Sequence, residues 1–213
     1  MSKSGDEKLN LRRDLDRSSE RLRNLVLASS SPYRRSLLER LGIPFTTASP
    51  DIDESPLANE LPAAMALRLA EGKARAVSTM HPHACIIGSD QTADLDGTPL
   101  GKPGGREAAL AQLTKLRGRT VVFHTAVCLL RAYDGQLQIE NVPTIVRFRD
   151  YSDSQAARYL EIEAPFDCAG SAKIEGLGIA LVARVESTDP TALIGLPLVT
   201  LTTMLGHAGV EVI

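Results

Sequence analysis

The sequence predicts a mixed α/β fold: a mixed sheet with flanking helices, in two lobes around a central cleft. Three observations lead there. A short apolar run, a serine-rich loop and a capped helix succeed one another between Leu25 and Gly42. Helix-like and strand-like stretches interleave along the chain. Two long strand-like stretches flank Asp134-Gly135, a hairpin that a purely parallel sheet would not contain. At 213 residues, 43% of them hydrophobic, the chain can bury a substantial core without disulfides or structural metal.

Residues 1–24 alternate charges (Asp6, Glu7, Lys8, Arg12, Arg13, Asp14, Asp16, Arg17) without an apolar centre, which is not the pattern of a secretory leader. They read as a flexible or partly helical tail, with the folded domain expected over 25–213. Residues 25–28, Leu-Val-Leu-Ala, form a short buried strand. Ser31 as N-cap and Pro32 at the first helical position then start a helix that buries Leu37, Leu38 and Leu41 and stops at Gly42. Strand, polar loop and helix N-terminus aim unpaired N–H groups at one spot, a phosphate cradle. Arg34 and Arg35 in the first turn oppose the helix dipole, a placement that an anion between them would offset.

Residues 45–48 read as a strand, and Asp51, Asp53 and Glu54 follow in an acidic loop. Such a loop is either solvated surface or a source of oxygen ligands for a small divalent cation. Pro62 opens a helix to about residue 80, with Met65, Leu69 and Val77 spaced for burial and Lys73 among its polar positions. An apolar run then ends in Ile86-Ile87-Gly88-Ser89-Asp90-Gln91, where a strand is expected to stop and present Asp90. A hairpin with an Asp96-Gly97 turn follows, then Lys102-Pro103 and a helix over 106–116.

Residues 120–131 and 138–148 form the two long strands. Ser152 and Gln155 make a capping box for a helix ending near residue 162. Residues 168–178 are too rich in small side chains for an ordinary element, so backbone must approach something closely there. A strand over 179–185, a turn at Asp189-Pro190 and a last helix opening at residues 195–198 complete the chain.

A net charge of −2 excludes a protein that coats nucleic acid or an anionic membrane by bulk electrostatics. No stretch is long and apolar enough to span a bilayer. Cys85, Cys128 and Cys168 form no CxxC pair and fit reduced thiols in a cytoplasmic protein. The four histidines lack HExxH spacing, which argues against zinc.

Ala28-Ser29-Ser30-Ser31-Pro32-Tyr33-Arg34-Arg35, Asp53-Glu54, Glu71-Gly72-Lys73-Ala74, Ile87-Gly88-Ser89-Asp90-Gln91, Gly101-Lys102-Pro103, Cys168-Ala169-Gly170-Ser171 and Ile194-Gly195-Leu196-Pro197-Leu198 occur in this order. Over residues 25 to about 205 the chain thereby resembles the Maf proteins, nucleoside triphosphate pyrophosphatases once called septum formation inhibitors. The resemblance implies a fold like that of inosine triphosphate pyrophosphatases. It also implies hydrolysis of a nucleoside triphosphate to monophosphate and pyrophosphate with a divalent cation (Mg, Mn or Co). By resemblance Asp90 is the proton acceptor, Ser29, Arg34, Lys73 and Lys102 handle phosphate, and Glu54 with Asp90 holds the metal.

The resemblance further points to the subgroup acting on 7-methyl-GTP, through Tyr33, Gln91 and Glu175. Methylation at N7 makes guanine cationic, so Tyr33 would gain a cation–π contact and Glu175 would meet the N1–H and exocyclic amine. A dTTP/UTP pyrophosphatase is the rival enzyme, and a non-catalytic nucleotide-binding regulator of septum formation the rival of another class. The expected partner is a nucleotide, with neither nucleic acid nor membrane, and a homodimer stays open.

Overall fold

The structure is a computed structural model that describes residues 24–213. The N-terminal tail reading falls, apart from Asn24, outside the described residues.

One seven-stranded mixed sheet organises the chain, in the order β2-β1-β3-β5-β6-β7 with β4 hung on β3. The strands are β1 (Leu25–Ala28), β2 (Thr46–Ala48), β3 (Cys85–Leu95), β4 (Thr98–Leu100), β5 (Thr120–Arg131), β6 (Leu137–Phe148) and β7 (Val182–Ser187). β1 runs parallel to β2 and β3, and all other pairs are antiparallel. Among the described residues five α-helices flank the sheet: α1 (Pro32–Glu39), α2 (Pro62–Ser78), α3 (Arg106–Leu116), α4 (Asp153–Glu163) and α5 (Leu198–His207).

The β1 strand is buried at all four positions because helices cover both of its faces. Its alternation sends Leu25 and Leu27 to one side, against Leu37 and Leu38 of α1 and Leu201 and Leu205 of α5. Val26 and Ala28 point to the other side, against Ala66, Ala70, Ala74 and Val77 of α2. A third cluster lies at the far end of the sheet, where α3 and α4 pack Leu113, Leu116, Tyr159 and Leu160 on Phe123 and Phe148. The cleft opens between this end and the half of the molecule built on β1.

Local signals act as read. Ser31 caps α1, accepting from the Arg34 amide, and Pro32 occupies its first turn. Ser152 and Gln155 form a complete capping box on α4. Asp96-Gly97 turns β3 into β4, both residues with positive φ. Two expectations are corrected. β3 does not stop at Gly88-Ser89; it runs on to Leu95, because β5 pairs with it continuously from Cys85 to Asp94. The last strand begins at Val182, since residues 177–181 wind into a 3-10 turn.

Gly88 is required by packing. A Cβ there would lie 2.1 Å from the Ala70 carbonyl oxygen and 2.9 Å from the Cys128 sulfur, so α2 rides directly on β3. Overpacking of this kind costs about 1–3 kcal/mol. Gly88→Ala is expected to lower the urea midpoint accordingly and to slow turnover, because α2 carries Lys73. An unchanged midpoint would contradict this packing account.

Candidate active site

Asp90 lies mid-strand in β3, opposite Ala126, with only 6% of its surface exposed. Because α2 sits so close at Ala70, the residue one turn further on reaches the same strand. Lys73, one of the polar positions of α2, is only 5% exposed. Its Nζ donates to Asp90 Oδ1 at 2.7 Å and pairs with Glu54 Oε1 at 2.7 Å. The alanine stripe that packs α2 is what lets this lysine sink to the sheet. Asp90 lines the cavity, and its Oδ2 is met by the Thr92 hydroxyl at 3.5 Å.

Around this triad lies a cavity of about 530 Å³, a volume suited to a small-molecule ligand. Ser29, Tyr33, Arg34, Glu54, Lys73, Asp90, Gln91, Lys102 and Glu175 all line it, so every residue nominated from sequence meets in one place. Of the two arginines in the first turn of α1, only Arg34 lines the cavity; Arg35 is exposed and pairs with Glu39. Of the acidic loop, Glu54 lines the cavity, while Asp53 is exposed and accepts from the Ser55 amide.

Arg34 is oriented through its Nε, which donates to the Gly195 carbonyl at 2.8 Å and leaves the two terminal nitrogens for a ligand. Burial pulls its guanidinium below the ordinary value, and the Asp90 and Glu54 charges only partly restore it. Burial pushes the Glu54 carboxyl up. The Lys73 hydrogen bond and charge outweigh that, with Lys102 and Arg34 behind them, and hold it below its usual range. Lys102 follows Gly101, whose carbonyl accepts from Gln112 of α3 at 3.0 Å; Gln112 in turn accepts from Ser171 at 2.6 Å.

The sequence reading missed the latch formed by residues 189–199. Asp189, 1% exposed, accepts from the Thr191 hydroxyl and amide and from the Val199 amide at the start of α5. The Gly195 carbonyl takes bonds from both Arg34 and Ser89. Gln91, expected to select the base, donates through Nε2 to Thr125 Oγ1, Ala192 O and Leu193 O, at 2.9 to 3.1 Å. Only its Oε1 is left to offer a ligand. The available signal was an Asp-Pro-Thr turn shortly before a helix with no acidic cap of its own.

Tyr33 lines the cavity together with Asp167, Cys168, Ala172 and Glu175, and the charges of Asp167 and Glu175 act on it. Burial raises the Glu175 carboxyl, and Glu163 and Asp167 raise it further; Lys173 pulls the other way. Burial, with Asp167 beside it, pushes the Cys168 thiol up to about 12, which removes it as a thiolate nucleophile. The close approach expected over 168–178 is to the chain itself. A Cβ on Gly176 would strike the Glu163 carboxylate at 2.6 Å, and one on Gly178 the Lys173 carbonyl oxygen at 2.5 Å.

Glu54 and Asp90 each pair with the same Lys73 ammonium at 2.7 Å, which brings two carboxylates into one neighbourhood. Among the described residues no group of three or more His, Cys, Asp or Glu could enclose a metal. Two carboxylates and open space suit magnesium-like ions, which take one or two carboxylates together with substrate phosphates. No helix of the described residues is long and apolar enough to cross a membrane.

The family model described as Maf-like protein matches residues 24–208. A protein of Cupriavidus metallidurans named 7-methyl-GTP pyrophosphatase is 59% identical over 192 residues, 90% of this chain and 96% of its own length. Proteins of the same name from Ralstonia nicotianae and Aromatoleum aromaticum are 59% identical over 181 residues (85% and 93% of the two chains) and 56% identical over 189 (89% and 97%). The solved structure of the Staphylococcus aureus Ham1 protein gives a TM-score of 0.45 at 14% identity, over 60% of this chain and 72% of that one, a likeness too distant to bear on function. With its motifs in order, their residues gathered around one cavity and the family model matched over residues 24–208, the chain belongs to the Maf family.

Proposed function

We propose that this protein hydrolyses 7-methyl-GTP to 7-methyl-GMP and pyrophosphate, removing a modified nucleotide from the cytoplasmic pool. The observation that carries the reading is the polarity of the cavity. Among its lining residues, Arg34, Lys73 and Lys102 interact with the charges of Glu54 and Asp90, whereas Tyr33 groups with Glu175 and Asp167. A triphosphate suits the first group and a cationic ring the second. Relatives at 56–59% identity that carry the name 7-methyl-GTP pyrophosphatase support the same substrate.

In this reading Asp90 Oδ2 takes a proton from the water that attacks the α-phosphorus, and a positioned base of this kind contributes typically ~10²–10⁴-fold. Ser29 and the N-terminus of α1 hold phosphate oxygens. Arg34, Lys73 and Lys102 hold the departing pyrophosphate and spread its charge. Glu54 and Asp90 would hold a divalent cation, whose contribution when bound is to neutralise phosphate charge and acidify a bound water. Tyr33 stacks on the base, and Glu175 accepts from N1–H and the exocyclic amine.

Uracil and thymine would turn acceptor carbonyls toward the same carboxylate, which disfavours dTTP and UTP. Glu175→Gln is therefore expected to reduce the preference for 7-methyl-GTP over UTP by roughly ten- to a hundredfold, the worth of hydrogen bonds to a charged group. Steady-state kcat/KM values for the two nucleotides measure it. Acidification acts in the same sense on the wild type: the Glu175 carboxyl is raised, so the preference falls as pH drops through that raised value. A variant with undiminished preference would remove Glu175 from base recognition.

A further inference from the structure

Glu163, near the C-terminal end of α4, carries no role in the reading above, yet it joins the two residues that meet the base. Its Oε1 accepts from Lys173 Nζ at 2.7 Å, and its Oε2 accepts from the Leu177 amide at 2.7 Å. The first bond places the Lys173 ammonium 5.8 Å from the centroid of the Tyr33 ring. The second closes the turn 173–177 that displays Glu175. The same turn is bonded at its start, where the Lys173 amide donates to the Tyr159 hydroxyl at 3.0 Å and the Lys173 carbonyl accepts from Gly176 and Gly178.

Gly176 leaves room for the carboxylate, since a Cβ there would overlap it. Tyr33 lines the cavity and Lys173 does not, so the ammonium sits against the ring without itself lining the cavity. A cation held against one ring face is attracted to the π-system, and an ion pair only partly exposed (side chains 26% and 14%) keeps it there.

Resting on the substrate reading above, we infer that the Glu163–Lys173 ion pair is a positioning brace for the base subsite. It holds Tyr33 and Glu175 in mutual register and so sets the affinity for the nucleotide base without taking part in the chemistry. Neither residue belongs to the phosphate-handling set, where Asp90, Lys73 and Arg34 act.

The test compares wild type, Lys173→Met and Lys173→Arg by kcat and KM on 7-methyl-GTP. The inhibition constant of inorganic tripolyphosphate, which has no base, is measured in parallel. Lys173→Met is expected to raise KM about fivefold, the worth of a cation–π contact of about 1 kcal/mol, with kcat within about twofold. Tripolyphosphate inhibition stays unchanged, and Lys173→Arg restores KM because a guanidinium both pairs with Glu163 and stacks on the ring. An unchanged KM overturns the brace, as does a parallel loss of kcat, tripolyphosphate binding and thermal stability that arginine fails to rescue. Should the wild type prefer another triphosphate, the substrate reading fails, and the brace is judged by the same KM shift on the preferred nucleotide.

Discussion

Asp90→Asn is expected to lower kcat by about 10²–10⁴-fold while leaving nucleotide affinity within a few-fold of wild type. The side chain is isosteric, and β3 holds it through continuous pairing with β5. Lys73 keeps its second carboxylate partner in Glu54, so the variant loses a proton acceptor without losing the local frame. Pyrophosphate release measures the first quantity and equilibrium binding of a non-hydrolysable nucleotide the second. The same pair of measurements separates an enzyme from a regulator that merely binds nucleotide. A regulator would show nucleotide binding without pyrophosphate release already in the wild type, and substitution of Asp90 would then change nothing measurable in turnover.

Lys73→Met is expected to damage both activity and stability. Removing one partner of a buried ion pair costs up to about 3–5 kcal/mol, because the remaining charge is left in a poorly solvated place. Here the cost falls below that ceiling, since the Glu54 side chain is half exposed while that of Asp90 is 9% exposed. The double variant Lys73→Met/Asp90→Asn should regain much of the lost stability, because no buried carboxylate is then left without its cation. It should regain no activity. Urea unfolding of the two single variants and the double variant gives the coupling, and a double variant no more stable than Lys73→Met would show that the pair is not what the fold relies on.

Much of the fold was legible because its signals are local. Ser31-Pro32, Asp96-Gly97, Asp134-Gly135 and the Ser152/Gln155 box each act within a few residues, and each sits where it was expected. The candidate site was legible through ordered motifs, and all nine nominated residues line one cavity. What the sequence could not display is contact between distant segments. Gly88-Ser89 read as the end of a strand because those residue types favour turns. In the fold, Gly88 admits α2, and Ser89 bonds Gly195, 106 residues away. The burial of Lys73 was not legible from the helix pattern, because it depends on how closely α2 approaches the sheet.

Gln91 shows the same limit from the other side. The resemblance implied a role for it in choosing the base, and its amide nitrogen is committed to a loop about a hundred residues on, which leaves Oε1 for a ligand. On the proposed reading base selection then falls more heavily on Tyr33 and Glu175. A dipole-opposing arginine in the first turn of α1 was informative for Arg34, which bonds Gly195 and faces the cavity. For Arg35 the same placement is answered by Glu39 one turn along the helix.

On the proposed reading one cavity serves both a triphosphate, through Arg34, Lys73 and Lys102, and a cationic purine, through Tyr33 and Glu175. Comparing kcat/KM for 7-methyl-GTP, GTP, dTTP and UTP under one set of conditions, with pyrophosphate as the measured product, tests it most directly. 7-Methyl-GTP is expected to be turned over most efficiently, with GTP, which lacks the methyl group and its charge, below it. Turnover of dTTP, UTP or GTP equal to or faster than that of 7-methyl-GTP would contradict it.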